Sequence, residues 1–302
     1  MKRIACLIAL VGFCALIGKG WHLVKDGFSL NRTCSLGYNL KHRHSNATLI
    51  AEGKTAPWNL DDSILRQPYT YLGRGHQCYA FASADGKYVI KLPRYDRYRL
   101  SFFLRACPFS WLTSHRHAIR ADIEQRLRFL LNSFHLAFEE LQEETALLYL
   151  HLYRTDHFNF PLVLQDRLGR SHLLDPNQTS FIVQEKKPIM MSSFQQCLEK
   201  NRREEAKEIL DAFLQVISKR AERGIYNKDP SFLRNFGLDK GKGFQIDIGS
   251  FYRKPALSLE EARKASFQET IHHVRNWLDD IDPEMLYTFD QKIQTIKQSW
   301  AD

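Results

Sequence analysis

Cysteine pairs at metal or redox spacing are missing from this sequence. Its six cysteines, Cys6, Cys14, Cys34, Cys78, Cys107 and Cys197, are scattered, and no two form a Cys-x-x-Cys. That spacing argues against a zinc site or a disulfide framework and makes reduced thiols the default. The histidine pairs His115/His117 and His272/His273 have no further ligand set near them in sequence, so metal binding there is a poor expectation. Acidic residues are also short: 34 Asp and Glu against 43 Lys and Arg leave a net charge of +9. The excess points to an anionic partner, which leaves nucleotide, phospholipid surface and nucleic acid open. No recognition motif accompanies the arginines, which argues against nucleic acid.

Long apolar runs are scarce too. The clearest is the fifteen uncharged residues from Ile4 to Gly18. As a helix this run spans roughly 22 Å against a hydrocarbon core of roughly 30 Å, short for a membrane crossing unless it continues through Lys19 to Val24. It reads equally as a signal-peptide core. Lys2 and Arg3 precede it and Lys19, Lys25 and Arg32 follow, so flanking charge does not set an orientation. Residues 1–25 are expected to be an N-terminal membrane anchor or signal segment, an uncleaved anchor being the preferred reading and a secreted or exported form remaining open. Residues 26–65 are rich in Asn, Ser, Gly, Lys and His without a sustained period and read as a tether. The rest is ordinary for a folded chain of 302 residues, with 44% hydrophobic and 25% charged residues.

From Tyr69 the pattern becomes strand, Gly turn, strand, Asp85-Gly86 hairpin, strand. Gly73 and Gly75 let backbone amides approach a phosphate closely, and Lys91, at the end of Tyr88-Val89-Ile90-Lys91, reaches towards the α and β phosphates. Residues 93–128 carry eight arginines against three acids, with aromatics interleaved between Ser101 and Trp111. This segment suits either a membrane surface or a solvated basic loop. A helical period runs from about Ile119 to Leu152, with Leu127, Leu130, Leu131, Phe134, Phe138 and Leu141 on one face. Glu140 and Glu144 lie one turn apart on it, and Glu144 is the preferred partner for Lys91. Phe160–Gln165 and Thr179–Glu185 read as strands, and the backbone near Gln184 and Glu185 is available to an adenine edge.

The second half is helical, and one stretch, Gly224 to Gly249, carries the chemistry. Gly224 stops the helix Arg203–Arg223. Beyond it stand Asp229, Asn235 and Asp247, with a hairpin NFGL, DKGKG, FQIDIG between the last two. A carboxylate base followed by an amide and a second carboxylate is how a phosphotransferase distributes its acceptor base and its Mg²⁺ ligands: Asp229 meets the acceptor hydroxyl, while Asn235 and Asp247 hold Mg²⁺ against the nucleotide phosphates. Asp-Pro and Lys-Gly-Lys-Gly are also ordinary turn formers. Ser258 and Glu261 form a capping box opening a helix to about Trp277, and Asp282-Pro283-Glu284 starts the last one.

Taken together, residues 66–300 resemble the protein-kinase-like superfamily, and within it the bacterial small-molecule and lipopolysaccharide-core kinase branches. Tyr88-Val89-Ile90-Lys91 looks like the family's Val-Ala-Ile-Lys, Gly224 to Asp229 like its catalytic loop, and Asp247-Ile248-Gly249 like its Asp-Phe-Gly. The resemblance implies an α+β, two-lobed protein-kinase-like fold: a small β-rich N-lobe with a long helix (66–185) and a mainly helical C-lobe (186–302), with ATP between them. It also implies Mg²⁺ as cofactor and a hydroxyl-bearing acceptor. ATP use puts the lobes on the cytoplasmic side of a membrane. The chain departs from the pattern at Asn227, where the family has histidine, at Cys78, in place of the third glycine, and in a step of six rather than five residues from Asp229 to Asn235. Only 53 residues follow Gly249, and they contain no Ala-Pro-Glu motif. These departures keep a second reading open, a membrane-tethered pseudokinase that binds nucleotide or serves as a scaffold.

Overall fold

The computed structural model describes residues 58–101, 104 and 113–300, together with Gly20, Asp26 and Phe28. Apart from Gly20, the anchor or signal segment expected over 1–25 lies outside the described residues, as do most of the tether and residues 102–103 and 105–112 of the basic stretch. Among the described residues no helix is long and apolar enough to cross a membrane. The fold is mixed α+β, and the chain divides into two compact, interleaved units: Met1–Arg99 with Tyr149–Val183, and Leu100–Leu148 with Gln184–Asp302. The segment carrying the long helix groups with the second unit, whereas the sequence pattern assigns it to the first.

The first unit is built on a seven-stranded sheet in the order β4-β7-β3-β2-β1-β5-β6. Its strands are β1 (Tyr69–Arg74), β2 (Cys78–Ser83), β3 (Tyr88–Pro93), β4 (Leu147–His151), β5 (Leu162–Gln165), β6 (Ser171–Leu174) and β7 (Phe181–Glu185). A short helix, α1 (Ser63–Arg66), precedes β1. Aromatic and aliphatic residues supply the sheet's buried side chains: Tyr69, Tyr79, Phe81, Ile90, Leu92, Leu162, Leu164, Phe181 and Ile182 are all fully buried. At the β2–β3 hairpin Gly86 takes φ +72°, and the Asp85 carboxylate accepts from Ser83 Oγ and the Lys87 amide. Described residues of the expected tether pack on this unit: Ile64 and Leu65 of α1 are buried and Trp58 lies against Tyr149 and Phe158. Asp26 accepts from Tyr71 Oη at 2.6 Å and pairs with Arg74 at 3.2 Å, and Phe28 is buried against Tyr79 and Phe81.

Strand β6 falls between the two strands the sequence shows at Phe160–Gln165 and Thr179–Glu185, and Ser171-His172-Leu173-Leu174 is short and shows no clean alternation. The strand is fixed by its turn. Asp166 accepts from the Leu168 and Arg170 amides, from the Arg170 guanidinium at 2.7 Å and from His172 at 3.0 Å. Burial pushes the Asp166 pKa up, but the bonds from Arg170 and His172 outweigh that and hold its carboxyl well below the usual carboxylate range.

The helical period expected from Ile119 to Leu152 is broken in the structure. Helix α2 runs Thr113–Glu140, a single turn α3 covers Gln142–Thr145, Ala146 ends it in the left-handed region at φ 53°, and Leu147–His151 is strand β4. A continuous apolar run such as Leu147-Leu148-Tyr149-Leu150 fits a buried strand as well as a helix, and pairing in the sheet decides between them.

The second unit also contains α4 (Met190–Glu199), α5 (Arg203–Glu222), α6 (Leu259–Ile281) and α7 (Pro283–Gln298). Phe194, Phe213, Phe236, Phe267, Leu278, Met285 and Phe289 form the middle of its core. The expected helix signals are in place. Gly224 at φ +66° follows α5, Ser258 and Glu261 form a capping box at the start of α6, and Asp282 Oδ1 accepts from the Met285 amide before α7. One buried group stands out: Arg220, near the end of α5, is fully buried, and burial lowers its guanidinium pKa to about 10 although Glu269 opposes the shift.

Candidate active site

The hairpin after Asn235 sets the geometry. Beyond the two-residue strand β8 (Tyr226–Asn227), strands β9 (Phe236–Asp239) and β10 (Lys242–Gln245) pair antiparallel with Phe236 opposite Gln245. They are joined by Lys240 and Gly241, both at positive φ (49° and 74°), the combination a tight primed turn requires. Register is held from outside as well. A Cβ on Gly243 would lie 2.4 Å from the Ala212 carbonyl oxygen of α5, and one on Gly237 would lie 2.7 Å from Lys187 Cβ, so β10 lies flush on the helix and cannot slip by a residue. At the open end the Ile246 amide donates to the Asn235 carbonyl at 2.9 Å. Asn235 and Asp247 are thereby fixed on either side of one backbone hydrogen bond.

The residues between Asp229 and Asn235 form a helical turn, with the Asn235 amide donating to the Ser231 carbonyl at 3.0 Å. This turn takes up the six-residue step and folds Asn235 back. Its Nδ2 donates to the Asp229 carbonyl at 2.8 Å, and the same carbonyl accepts from Asn227 Nδ2 at 3.1 Å. Asn227 closes its own ring by accepting from the Asp229 amide at 3.0 Å. With Nδ2 so engaged, Asn235 directs its oxygen elsewhere, and among the described residues no donor is bonded to it. The Asp229 side chain is exposed at a cavity of about 300 Å³. Lys228, Ser231 and His273 line the cavity on the polar side, with Phe232, Leu233 and Trp277 on the apolar side.

The segment Asp247-Ile248-Gly249 is tied to α2 by a residue to which the sequence gives no functional signal. Ser133 is fully buried; its hydroxyl donates to the Ile248 carbonyl and accepts from the Phe251 amide, each at 2.6 Å. Asp247 is half-buried, and its Oδ1 accepts from the Gly249 amide at 3.3 Å. One carboxylate and one amide oxygen are hard donors that suit Mg²⁺, a cation that takes few protein ligands and completes its shell with water and phosphate. Among the described residues no three His, Cys, Asp or Glu side chains cluster as a metal site.

In the first unit, Lys91 is half-buried on β3, opposite Ala80 of β2. Gly73 and Gly75 flank the start of the β1–β2 turn, which Arg94 braces through a bond to the Gly75 carbonyl at 3.0 Å. Neither glycine has positive φ. A Cβ on Gly73 would meet nothing within 4 Å, and one on Gly75 would meet the Cys78 carbonyl at an ordinary 3.6 Å. The protein itself therefore does not demand glycine at either position.

Glu144, proposed from the sequence as the partner of Lys91, is buried and ion-paired with Arg223 at 3.3 Å, while Glu140 pairs with Arg253 at 2.5 Å. Gln184 donates from Nε2 to the Thr145 carbonyl at 2.8 Å, and the Glu185 amide donates to the Ala146 carbonyl at 2.9 Å. The amide edge expected to meet an adenine at Glu185 is thus already bonded, and the Glu185 carboxylate pairs with Lys187 at 2.6 Å.

No family model matches the chain, and no curated protein does. Among solved structures it is similar to a high-resolution crystal structure of WbdD, at 16% identity and a TM-score of 0.33 over 76% of this chain and 49% of that one. It is also similar to the bifunctional kinase-methyltransferase WbdD at 18% identity and a TM-score of 0.32, over 74% and 46% of the two chains. A WbdD complex with the kinase inhibitor LY294002 matches at 17% and 0.32, over 73% and 44%. The chain spans about half the length of these proteins. At such TM-scores the functional reading rests on the chain's own residues.

Proposed function

We propose that the chain is an ATP- and Mg²⁺-dependent phosphotransferase of kinase-like fold, acting on a hydroxyl of a sugar, lipid or other small molecule near a membrane. The observation that carries this reading is the Asn235 side chain bonded back to the Asp229 carbonyl, while the Asn235 carbonyl accepts from the Ile246 amide, the residue before Asp247, at the open end of one hairpin. Asp229, exposed at the cavity, orients the acceptor hydroxyl and takes up its proton. The mixed apolar and polar lining suits an acceptor with both kinds of surface. Asn235 and Asp247 would hold Mg²⁺, which would supply charge neutralisation for the transferring phosphoryl group. Lys91 contributes a further positive charge to the phosphates, and Gly73 and Gly75 allow them close backbone approach. Residues 1–25 and the basic stretch 93–128 supply the membrane contact, and ATP use assigns the cytoplasmic side.

Thermal stabilisation by ATP with and without Mg²⁺ tests the reading. Wild type is expected to gain stability from Mg²⁺·ATP beyond that from ATP alone, with the increment lost in Asp247→Ala and reduced in Lys91→Ala. Equal stabilisation of all three proteins would sink it.

A further inference from the structure

Arg220 is a fully buried guanidinium in the second unit, and among the described residues no carboxylate is bonded to it. A buried charge in that state is costly, and natural cores rarely keep one without use. Its Nη1 donates to Gln245 Oε1 at 2.6 Å and its Nη2 to Thr270 Oγ1 at 2.5 Å, while Nε has no acceptor. Gln245 and Thr270 are themselves buried to within 1%.

Each bond leads to one arm of the candidate active site. Gln245 is the last residue of β10; the next amide, Ile246, bonds the Asn235 carbonyl, and Asp247 follows. Thr270 Oγ1 donates in turn to the Ser266 carbonyl at 3.0 Å, and Ser266 Oγ donates to the Ile225 carbonyl at 2.6 Å, four residues before Asp229. One side chain of α5 therefore grips the segment approaching Asp229, through α6, and the segment approaching Asp247 directly. An apolar residue would fill the volume without making either link.

We propose that Arg220 is a positioning residue that sets the spacing of Asp229 and Asp247, and through it the metal-dependent part of nucleotide binding. The proposal rests on the phosphotransferase reading above. Residues behind a metal ligand typically change metal affinity by about 10- to 100-fold when removed, because the ligands lose their preset orientation.

The test uses the full chain and its Arg220→Met, Arg220→Lys and Gln245→Met variants. Calorimetry with a non-hydrolysable ATP analogue, with and without Mg²⁺, is read beside each melting temperature. Arg220→Met leaves the buried Gln245 Oε1 without its donor and is expected to melt below wild type while still binding the metal-free analogue equally. Its Mg²⁺-dependent gain in affinity is expected to fall about tenfold. Arg220→Lys keeps the charge and one of the two bonds and is expected to fall between them. Gln245→Met is expected to reproduce the loss, with no further loss in the double variant. An unchanged Mg²⁺-dependent gain in Arg220→Met overturns the proposal, as does a loss of metal-free and Mg²⁺-dependent binding in step with a lower melting temperature. If Arg220→Met does not fold, Arg220→Lys and Gln245→Met decide by the same criteria. A wild type without any Mg²⁺-dependent gain would instead sink the phosphotransferase reading, and this inference with it.

Discussion

Replacing Ser133 with alanine removes one oxygen and leaves two buried backbone groups, the Ile248 carbonyl and the Phe251 amide, without the partner each holds at 2.6 Å. Ser133 is fully buried, so water is not at hand to replace the hydroxyl. An orphaned buried polar group costs about 1–3 kcal/mol; with two of them and some local relaxation, the substitution should destabilise by about 2–4 kcal/mol. For a domain of 150–250 residues each kcal/mol shifts the melting temperature by about 2–4 °C, so a fall on the order of 5–10 °C is expected. Two assays read it: calorimetric melting for the global effect, and hydrogen exchange for the local one. Phe251 should lose protection in Ser133→Ala while amides in α7 change only by the global amount. A melting temperature within 1 °C of wild type together with a still-protected Phe251 amide would show that α2 does not hold the Asp247–Phe251 segment in this way.

Gly243→Ala should be among the most damaging single changes, because the added methyl meets the Ala212 backbone at 2.4 Å. Overpacking of this kind costs about 1–3 kcal/mol or more, read as a lower urea midpoint, and an unchanged midpoint would mean that β10 stands off α5. Gly73→Ala and Gly75→Ala should leave the midpoint unchanged within about 0.5 kcal/mol, since neither methyl clashes, yet weaken nucleotide binding if phosphate approaches there. Burial lowers the His151 pKa from 6.5 to about 4, against the opposing contact with the Thr179 carbonyl. The folded imidazole thus stays neutral where the unfolded chain takes up a proton. Its contribution is present above pH 6.5 and declines as pH falls towards 4, by about 3 kcal/mol in all. Urea midpoints for wild type and His151→Gln at pH 7 and pH 4.5 should converge as pH falls; parallel losses would refute the assignment.

Local chemistry was legible in the sequence wherever a few adjacent residues determine it. Lys240-Gly241 announces the tight turn, Gly224 the helix stop, and Ser258-Glu261 and Asp282-Pro283 the caps, because each works over one turn of chain. The run Leu147–Leu150 was not, since its apolar pattern suits helix and strand alike and only its neighbours in the sheet decide. Strand β6 was hidden for the opposite reason: it is polar and short, and the Asp166 turn holds it. The supports of the candidate site were also invisible. Ser133 meets Ile248 and Phe251, and Arg220 meets Gln245 and Thr270, through bonds spanning 25 to 118 residues that leave no periodic trace. Glu144, the glutamate the sequence favours as partner for Lys91, pairs with Arg223 from 79 residues away, a contact that likewise leaves no periodic trace.

The most direct measurement is release or transfer of the ATP γ-phosphate by purified full-length protein with Mg²⁺, compared with Asp229→Asn. Asparagine keeps the size of the side chain and the backbone bonds from Asn227 and Asn235, and removes only the proton acceptor. Mg²⁺-dependent turnover in wild type, reduced at least about 100-fold in Asp229→Asn with nucleotide affinity unchanged, is the predicted result. Equal turnover in both proteins, or Mg²⁺·ATP binding with no turnover in either, would contradict it, and the second outcome would mark the chain as a nucleotide-binding module rather than an enzyme.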